Sequence, residues 1–249
     1  ERINVVGNTR TKDFVIRREF RLAEGDAFNA LMVDRAKKRL QALGLFKSVD
    51  IKRRPGSAPD RVILDVEVQE QSTGELSFGA GYSTSEGVIG DVSISERNLF
   101  GNGQYVRLKL AGSFQRAQVD LSFTEPRFLD RNLAAGFDLF FKQLDYTNQS
   151  GFQQRKLGGD VRLGFPLAEN LWMQTLYSLS RDEIFDVASW ASPAIKEACG
   201  NPNFNGSTDQ NGLFRCTDKG YWTSLIGTTI SYDKRNNARN PNRGYYIEV

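Results

Sequence analysis

The sequence predicts a small α+β domain followed by an antiparallel transmembrane β-barrel that is truncated. Three observations carry this. Residues 1–70 alternate between strand-like and helix-like periods in the order β-α-α-β-β. Almost everything after residue 74 alternates apolar and polar residues with a period of two. No run of about 18 apolar residues exists, so no helical span is available and any membrane crossing must use strands.

In the N-terminal part, residues 2–6 (Arg-Ile-Asn-Val-Val) read as a short strand ended by Gly7-Asn8. Thr11 reads as the N-cap of a helix over residues 12–20 that carries Phe14, Val15 and Ile16. A second helix is expected over residues 30–43, with Met32, Ala36, Leu40 and Leu43 on its apolar face and Gly44 as the glycine that ends it. Val49 and Ile51 alternate with Asp50 and Lys52, residues 55–60 form a loop, and Val62, Leu64, Val66 and Val68 alternate with Ile63, Asp65, Glu67 and Gln69. The order gives two helices over one face of a three-stranded sheet. Residues 71–74 are a linker, so the domains are expected at 1–70 and 75–249.

In the second part, residues 105–114 are the clearest strand: Val106, Leu108, Leu110 and Phe114 fall on one face, and Arg107, Lys109, Ala111 and Ser113 on the other. Strands are expected at roughly 75–83, 88–97, 104–114, 117–125, 132–146, 153–165, 171–182 and 221–233, with a ninth beginning at Tyr245. Compact turns are expected at 98–103, 125–130 and 166–170, alternating with longer loops, of which 183–220 is the longest and the most polar. Such a loop belongs outside the cell and the N-terminal domain in the periplasm. Pairs of aromatics near strand ends, such as Trp172 with Tyr177 and Tyr221 with Trp222, fit interfacial girdles. Bacterial barrels normally have an even strand count, so a chain that stops at Val249 inside a ninth strand is expected to be part of a longer protein, as is the lack of a signal peptide at Glu1.

Composition removes several function classes. The formal charge is only +3, which argues against nucleic acid as a partner. There is no histidine, the usual general base of hydrolases and the commonest metal ligand. No paired acids stand at a useful spacing, so neither an enzyme, a metal site nor a cofactor is expected. Cys199 and Cys216 lie in the polar loop, and in an exported protein they read as a disulfide. Arg17, Arg18, Arg35, Lys37, Lys38 and Arg39 read mainly as a solvated helix face. Asp91, Glu96, Asp120, Glu125, Asp138 and Asp160, with Arg107, Lys109, Arg116 and Arg162, are candidates for the wet inner face.

Several segments are specific enough to suggest relatives. Residues 3–11 (Ile-Asn-Val-Val-Gly-Asn-Thr-Arg-Thr), 15–19 (Val-Ile-Arg-Arg-Glu) and 44–46 (Gly-Leu-Phe in the order Gly44, Leu45, Phe46) with Val49 resemble a POTRA domain. Residues 96–103, 123–128, 232–235 and 241–244 resemble barrel segments of the BamA family of bacterial outer-membrane protein insertases, in that family's order. The resemblance implies several POTRA domains ahead of residue 1 and about sixteen barrel strands, of which this chain carries about half. The long cysteine-bearing loop matches no feature of the family.

The resemblance also implies a function: folding and inserting β-barrel clients into the outer membrane by strand addition, as the central component of the barrel assembly machinery. Partners would be unfolded outer-membrane clients, accessory assembly lipoproteins and outer-membrane lipids. The client-pairing strand would be Glu75, Leu76, Ser77, Phe78, Gly79, Ala80, Gly81 and Tyr82, with Leu76, Phe78, Ala80 and Tyr82 toward lipid and the others toward the lumen. Glycines weaken regular pairing, although the same residues also fit an ordinary barrel strand that bends. The alternative function on this architecture is a POTRA-barrel polypeptide exporter of the two-partner secretion type.

Overall fold

A computed structural model describes residues 1–200, 212–214, 216, 220–236 and 241–249. They form two compact units, one of residues 1–75 with 95–106 and the other of 76–94 with 107–249. No helix among the described residues is long and apolar enough to cross a membrane.

In the first unit, β1 (Arg2–Val6), α1 (Asp13–Arg17), α2 (Ala30–Ala42), β2 (Phe46–Pro55) and β3 (Val62–Glu70) follow in the expected order. The sheet order is β1-β3-β2, with β1 parallel and β2 antiparallel to β3. The core is Val15 and Ile16 of α1, Ala36 and Leu40 of α2, and Val49 and Val66 of the sheet, all buried. Gly44 adopts a positive φ of 70° just after α2, a conformation that costs glycine little.

Four local expectations are corrected. The first helix is only five residues long, and Thr11 does not cap it: Lys12 holds the cap position without a side-chain bond, while Thr11 is buried. The apolar stripe of α2 keeps Ala36, Leu40 and Leu43, but in its first turn Val33 is buried and Met32 is exposed. The side chain of Asn29 caps this helix by accepting from the N–H groups of Leu31 and Met32. Asp65, expected on the wet face of β3, is 2% exposed. It pairs with Arg54 and accepts from Asn4 Nδ2 at 3.0 Å. The Asn4 bond, with Arg54 beside it, holds its carboxyl below the usual range against the cost of burial.

The barrel part is a nine-stranded antiparallel sheet. Its strands are β4 (Gly74–Ser83), β5 (Gly87–Leu99), β6 (Gln104–Gly112), β7 (Arg116–Glu125), β8 (Ala134–Asp145), β9 (Gln153–Ala168), β10 (Leu171–Phe185), β13 (Tyr221–Asp233) and β14 (Tyr246–Glu248). Two-residue strands β11 (Val187–Ala188) and β12 (Leu213–Phe214) pair with each other within the long loop. The sheet order follows the chain, with β4 at one edge and β14 at the other.

The register shows why a period of two was so legible. Phe123, Phe137, Val161, Tyr177 and Ile226 lie directly opposite one another across five strands. Phe137, Val161, Tyr177 and Ile226 are all exposed, and Phe123 stacks on Phe137 with centroids 5.4 Å apart. One residue along, Ser122, Asp138, Asp160 and Ser178 form a polar row. Successive residues point to opposite faces, so an apolar face and a polar face alternate at every step. A row of exposed apolar side chains this wide is costly in water and favourable in lipid.

Two expectations about the barrel part are also corrected. Short turns do not alternate strictly with longer loops. The connections at 84–86 and 113–115 have three residues each, close to the two of 169–170, because tight hairpins suffice between those strands, and 186–220 is by far the longest. Trp172 does not join an outer girdle: its ring packs over Gly164 on the polar face, where a Cβ at 164 would come within 2.8 Å of it.

Candidate functional site

The strand expected to pair with clients, β4, is an edge strand of the sheet among the described residues. An edge strand presents N–H and C=O groups that can template another strand. Its side chains separate by face. Leu76, Phe78 and Tyr82 are 58%, 73% and 78% exposed. Ser77 meets Ser93 through a 2.8 Å hydroxyl contact. The bare backbone of Gly79 leaves room for the Asp91 carboxylate, since a Cβ there would lie 2.2 Å from Asp91 Oδ1. A Cβ at Gly81 would meet nothing within 4 Å. Glycines at 74, 79 and 81 leave this strand with little side-chain packing to hold it flat.

The base of β4 is held differently. Glu75 forms an ion pair with Arg97 at 3.1 Å, and Arg97 N–H donates to Thr73 O at 3.3 Å. Glu96 and Glu125, expected on the inner face, serve the turns instead: they accept from the backbone N–H groups of Asn98 and Arg127 respectively.

Other inner-face candidates do come together. Arg107, Lys109, Asp120, Asp138 and Asp160 line a cavity of about 320 Å³. Asp138 pairs with Arg162 at 2.8 Å and accepts from Ser122. Gln118 Nε2 donates to Asp120 at 2.7 Å. These contacts pair the charged side chains of one face of the sheet with one another and with polar neighbours. Among the described residues, no group of three His, Cys, Asp or Glu side chains is placed to hold a metal. On the helices, Arg17 pairs with Asp13 and Glu24, Lys37 with Asp50, Arg39 donates twice to Glu19 O, and Arg18 donates to Asn102 O, so at least four of the six basic residues are used structurally.

Cys199 and Cys216 form a disulfide. Cys199, Val187 and Ala191 are buried together, with Phe152, Ile184, Ile195 and Cys216 packed around them. The described part of the long loop thus shares a small apolar core with Phe152, before β9, and Ile184, in β10, which its polar composition concealed. The bond closes a span of 17 residues, a closure worth roughly 3 kcal/mol against the unfolded chain. Reduction should therefore raise tryptic cleavage after Lys196 several-fold while the barrel strands stay protected. Equal cleavage with and without reductant would contradict it.

The sequence reading missed one polar cluster. Asn98 is 9% exposed and Thr11 3% exposed, and Asn98 Nδ2 donates to Thr11 Oγ1 at 2.9 Å. Glu70 gathers the N–H groups of Thr9, Arg10 and Thr11. The closely spaced glycines of Asn98-Leu-Phe-Gly-Asn-Gly103 were the available signal: Gly101 and Gly103 both have positive φ, so this turn has a fixed shape.

Comparison with known proteins places these features. Residues 1–71 match the POTRA family model, described as a surface antigen variable number repeat, and residues 98–249 match the Omp85 superfamily domain. The chain is similar to the outer membrane protein assembly factor BamA of Nitratidesulfovibrio vulgaris, with 38% identity over 79% of the chain and 24% of that protein. It is similar to BamA of Neorickettsia risticii at 34% identity, over 80% of the chain and 27% of that protein. It spans about a quarter of the length of these curated relatives. Among solved structures, BamA from Haemophilus ducreyi lacking POTRA domains 1–3 shares the fold over the whole chain and 46% of its own length, with a TM-score of 0.70 at 22% identity. CdiB from Acinetobacter baumannii is more distant, covering the whole chain and 45% of its own length with a TM-score of 0.59 at 12% identity.

Proposed function

Because this chain belongs to the Omp85 superfamily and carries a POTRA domain ahead of its barrel strands, we propose that it is the strand-pairing part of an outer-membrane protein insertase. The family and the BamA relatives indicate the bacterial outer membrane. The observation that carries the reading is the position of a glycine-rich strand, β4, at one edge of a nine-stranded antiparallel sheet.

The work needs no covalent chemistry, cofactor or metal. In lipid an unpaired backbone group costs several kcal/mol, because no water can satisfy it. A client strand that adds to β4 satisfies its own groups and those of β4 together. The client sheet then grows by hairpins from that first pairing, and its apolar face enters lipid as it forms. The contacting atoms are backbone, so one site serves clients of unlike sequence. The polar face of the sheet keeps the lumen hydrated. The POTRA domain stands in the periplasm, where its strand edges take up unfolded clients or assembly lipoproteins before they reach β4.

Reconstitution tests this. The full-length parent in liposomes is expected to convert an unfolded barrel client into a heat-modifiable membrane-inserted form. Passage of a secreted polypeptide into the liposome lumen, with no inserted client, would instead make the protein an exporter of the two-partner secretion type.

A further inference from the structure

We propose that Thr11 and Asn98 are positioning residues for strand addition, forming a latch that fixes the base of β4. The proposal rests on the strand-addition reading above.

The latch is built in layers, all within the first compact unit. Glu70, at the end of β3, accepts from Thr9 N–H at 3.2 Å, Arg10 N–H at 3.0 Å and Thr11 N–H at 2.6 Å, which fixes the segment after β1. That segment then meets the turn between β5 and β6. Lys12 N–H donates to Gly101 O at 2.9 Å. Asn98 uses both ends of its amide: Nδ2 donates to Thr11 Oγ1, and Oδ1 accepts from Gly103 N–H at 2.8 Å. Arg18 donates to Asn102 O at 3.4 Å. The approach is so close that a Cβ at Gly101, whose φ is +76°, would lie 2.2 Å from Arg10 O. On the other side of the same turn segment, Arg97 holds Thr73 and Glu75, where β4 begins.

The consequence concerns register. A one-residue slip in a strand moves every side chain to the other face. A glycine-rich β4 has little packing to resist such a slip when a client strand pairs with it. The latch supplies the resistance from below, through the buried Asn98–Thr11 bond. A buried polar pair suits this task, because breaking it takes the acceptor away from the buried Asn98 amide, and partial slippage is therefore disfavoured.

The test uses the full-length parent with Thr11→Val, which keeps the side chain's size and removes the hydroxyl, and with Thr11→Ser, which restores it. Two readouts are taken: hydrogen exchange at the Lys12 and Gly103 amides, and photocrosslinking from β4 positions to a stalled client. Thr11→Val is expected to speed exchange by roughly tenfold, the effect of one lost hydrogen bond. It should also blur the every-second-residue crosslinking pattern, and Thr11→Ser should restore both. The pair Thr11→Cys and Asn98→Cys gives an independent check, with a sharp pattern when oxidised and a blurred one when reduced. Faster exchange with an unchanged crosslinking pattern would overturn the positioning role. Absence of client adducts in the unsubstituted protein would overturn the strand-addition reading, and this role with it, whatever the exchange shows about the latch itself.

Discussion

Proline at Phe78 and proline at Gly79 are expected to fail in different ways. Along an antiparallel strand, successive N–H groups point toward opposite edges. One edge of β4 faces β5, and the other has no neighbouring strand among the described residues. The proline that removes an N–H toward β5 breaks the sheet's own ladder. In lipid that loss costs several kcal/mol, and the barrel should lose its heat-modifiable mobility. The proline that removes an N–H toward the other edge should leave a folded barrel whose client insertion falls at least tenfold. Alanine at Phe78 should be mild by comparison, because the backbone makes the contact. Gel mobility with and without heating, together with insertion of a reporter client, reads both effects. Two folded and fully active proline variants would contradict the assignment.

Glu70→Ala is expected to destabilise the N-terminal domain on the order of 2–4 kcal/mol, since three backbone N–H groups and the Thr9 hydroxyl lose one acceptor together. Burial works against ionisation of this carboxyl, but the hydrogen bonds from Thr11, Thr9 and Arg10 outweigh it and hold the pKa at about 2. The folded-state value lies below the ordinary 4.5, so ionised Glu70 stabilises the fold. That contribution is complete above about pH 4.5 and fades as pH falls toward 2. Urea unfolding of the chain between pH 7 and pH 3, followed by the protection of β1 and β3 amides, should show a loss on acidification that Glu70→Ala lacks. A parallel pH dependence in both proteins would contradict it.

The legible parts of this molecule were those governed by a simple period. In the barrel sheet every second residue meets lipid, so rows such as Phe137, Val161 and Tyr177 wrote themselves into the sequence, and strand positions followed within a few residues. The Cys199–Cys216 bond was legible because two cysteines shared one polar loop. The small domain was read correctly in its order and less well at the first turn of its second helix. Met32 and Val33 are both apolar neighbours, and only packing against the sheet decides that Val33 is buried. Thr11 was misread for a related reason. It follows the pattern of a helix cap, but Glu70 takes its N–H and Asn98 donates to its hydroxyl. Both partners lie far away in sequence, and no local rule reports them. Asp65 was likewise hidden, because its burial depends on Arg54 and Asn4 from two other strands.

The most direct test of strand addition is photocrosslinking from each position between Leu76 and Tyr82 of the full-length parent to a stalled outer-membrane client in cells. Adducts to a client's terminal strand that recur at every second position are the predicted result. Client adducts confined to polar-face residues such as Arg107 or Asp138, with none along β4, would contradict the account.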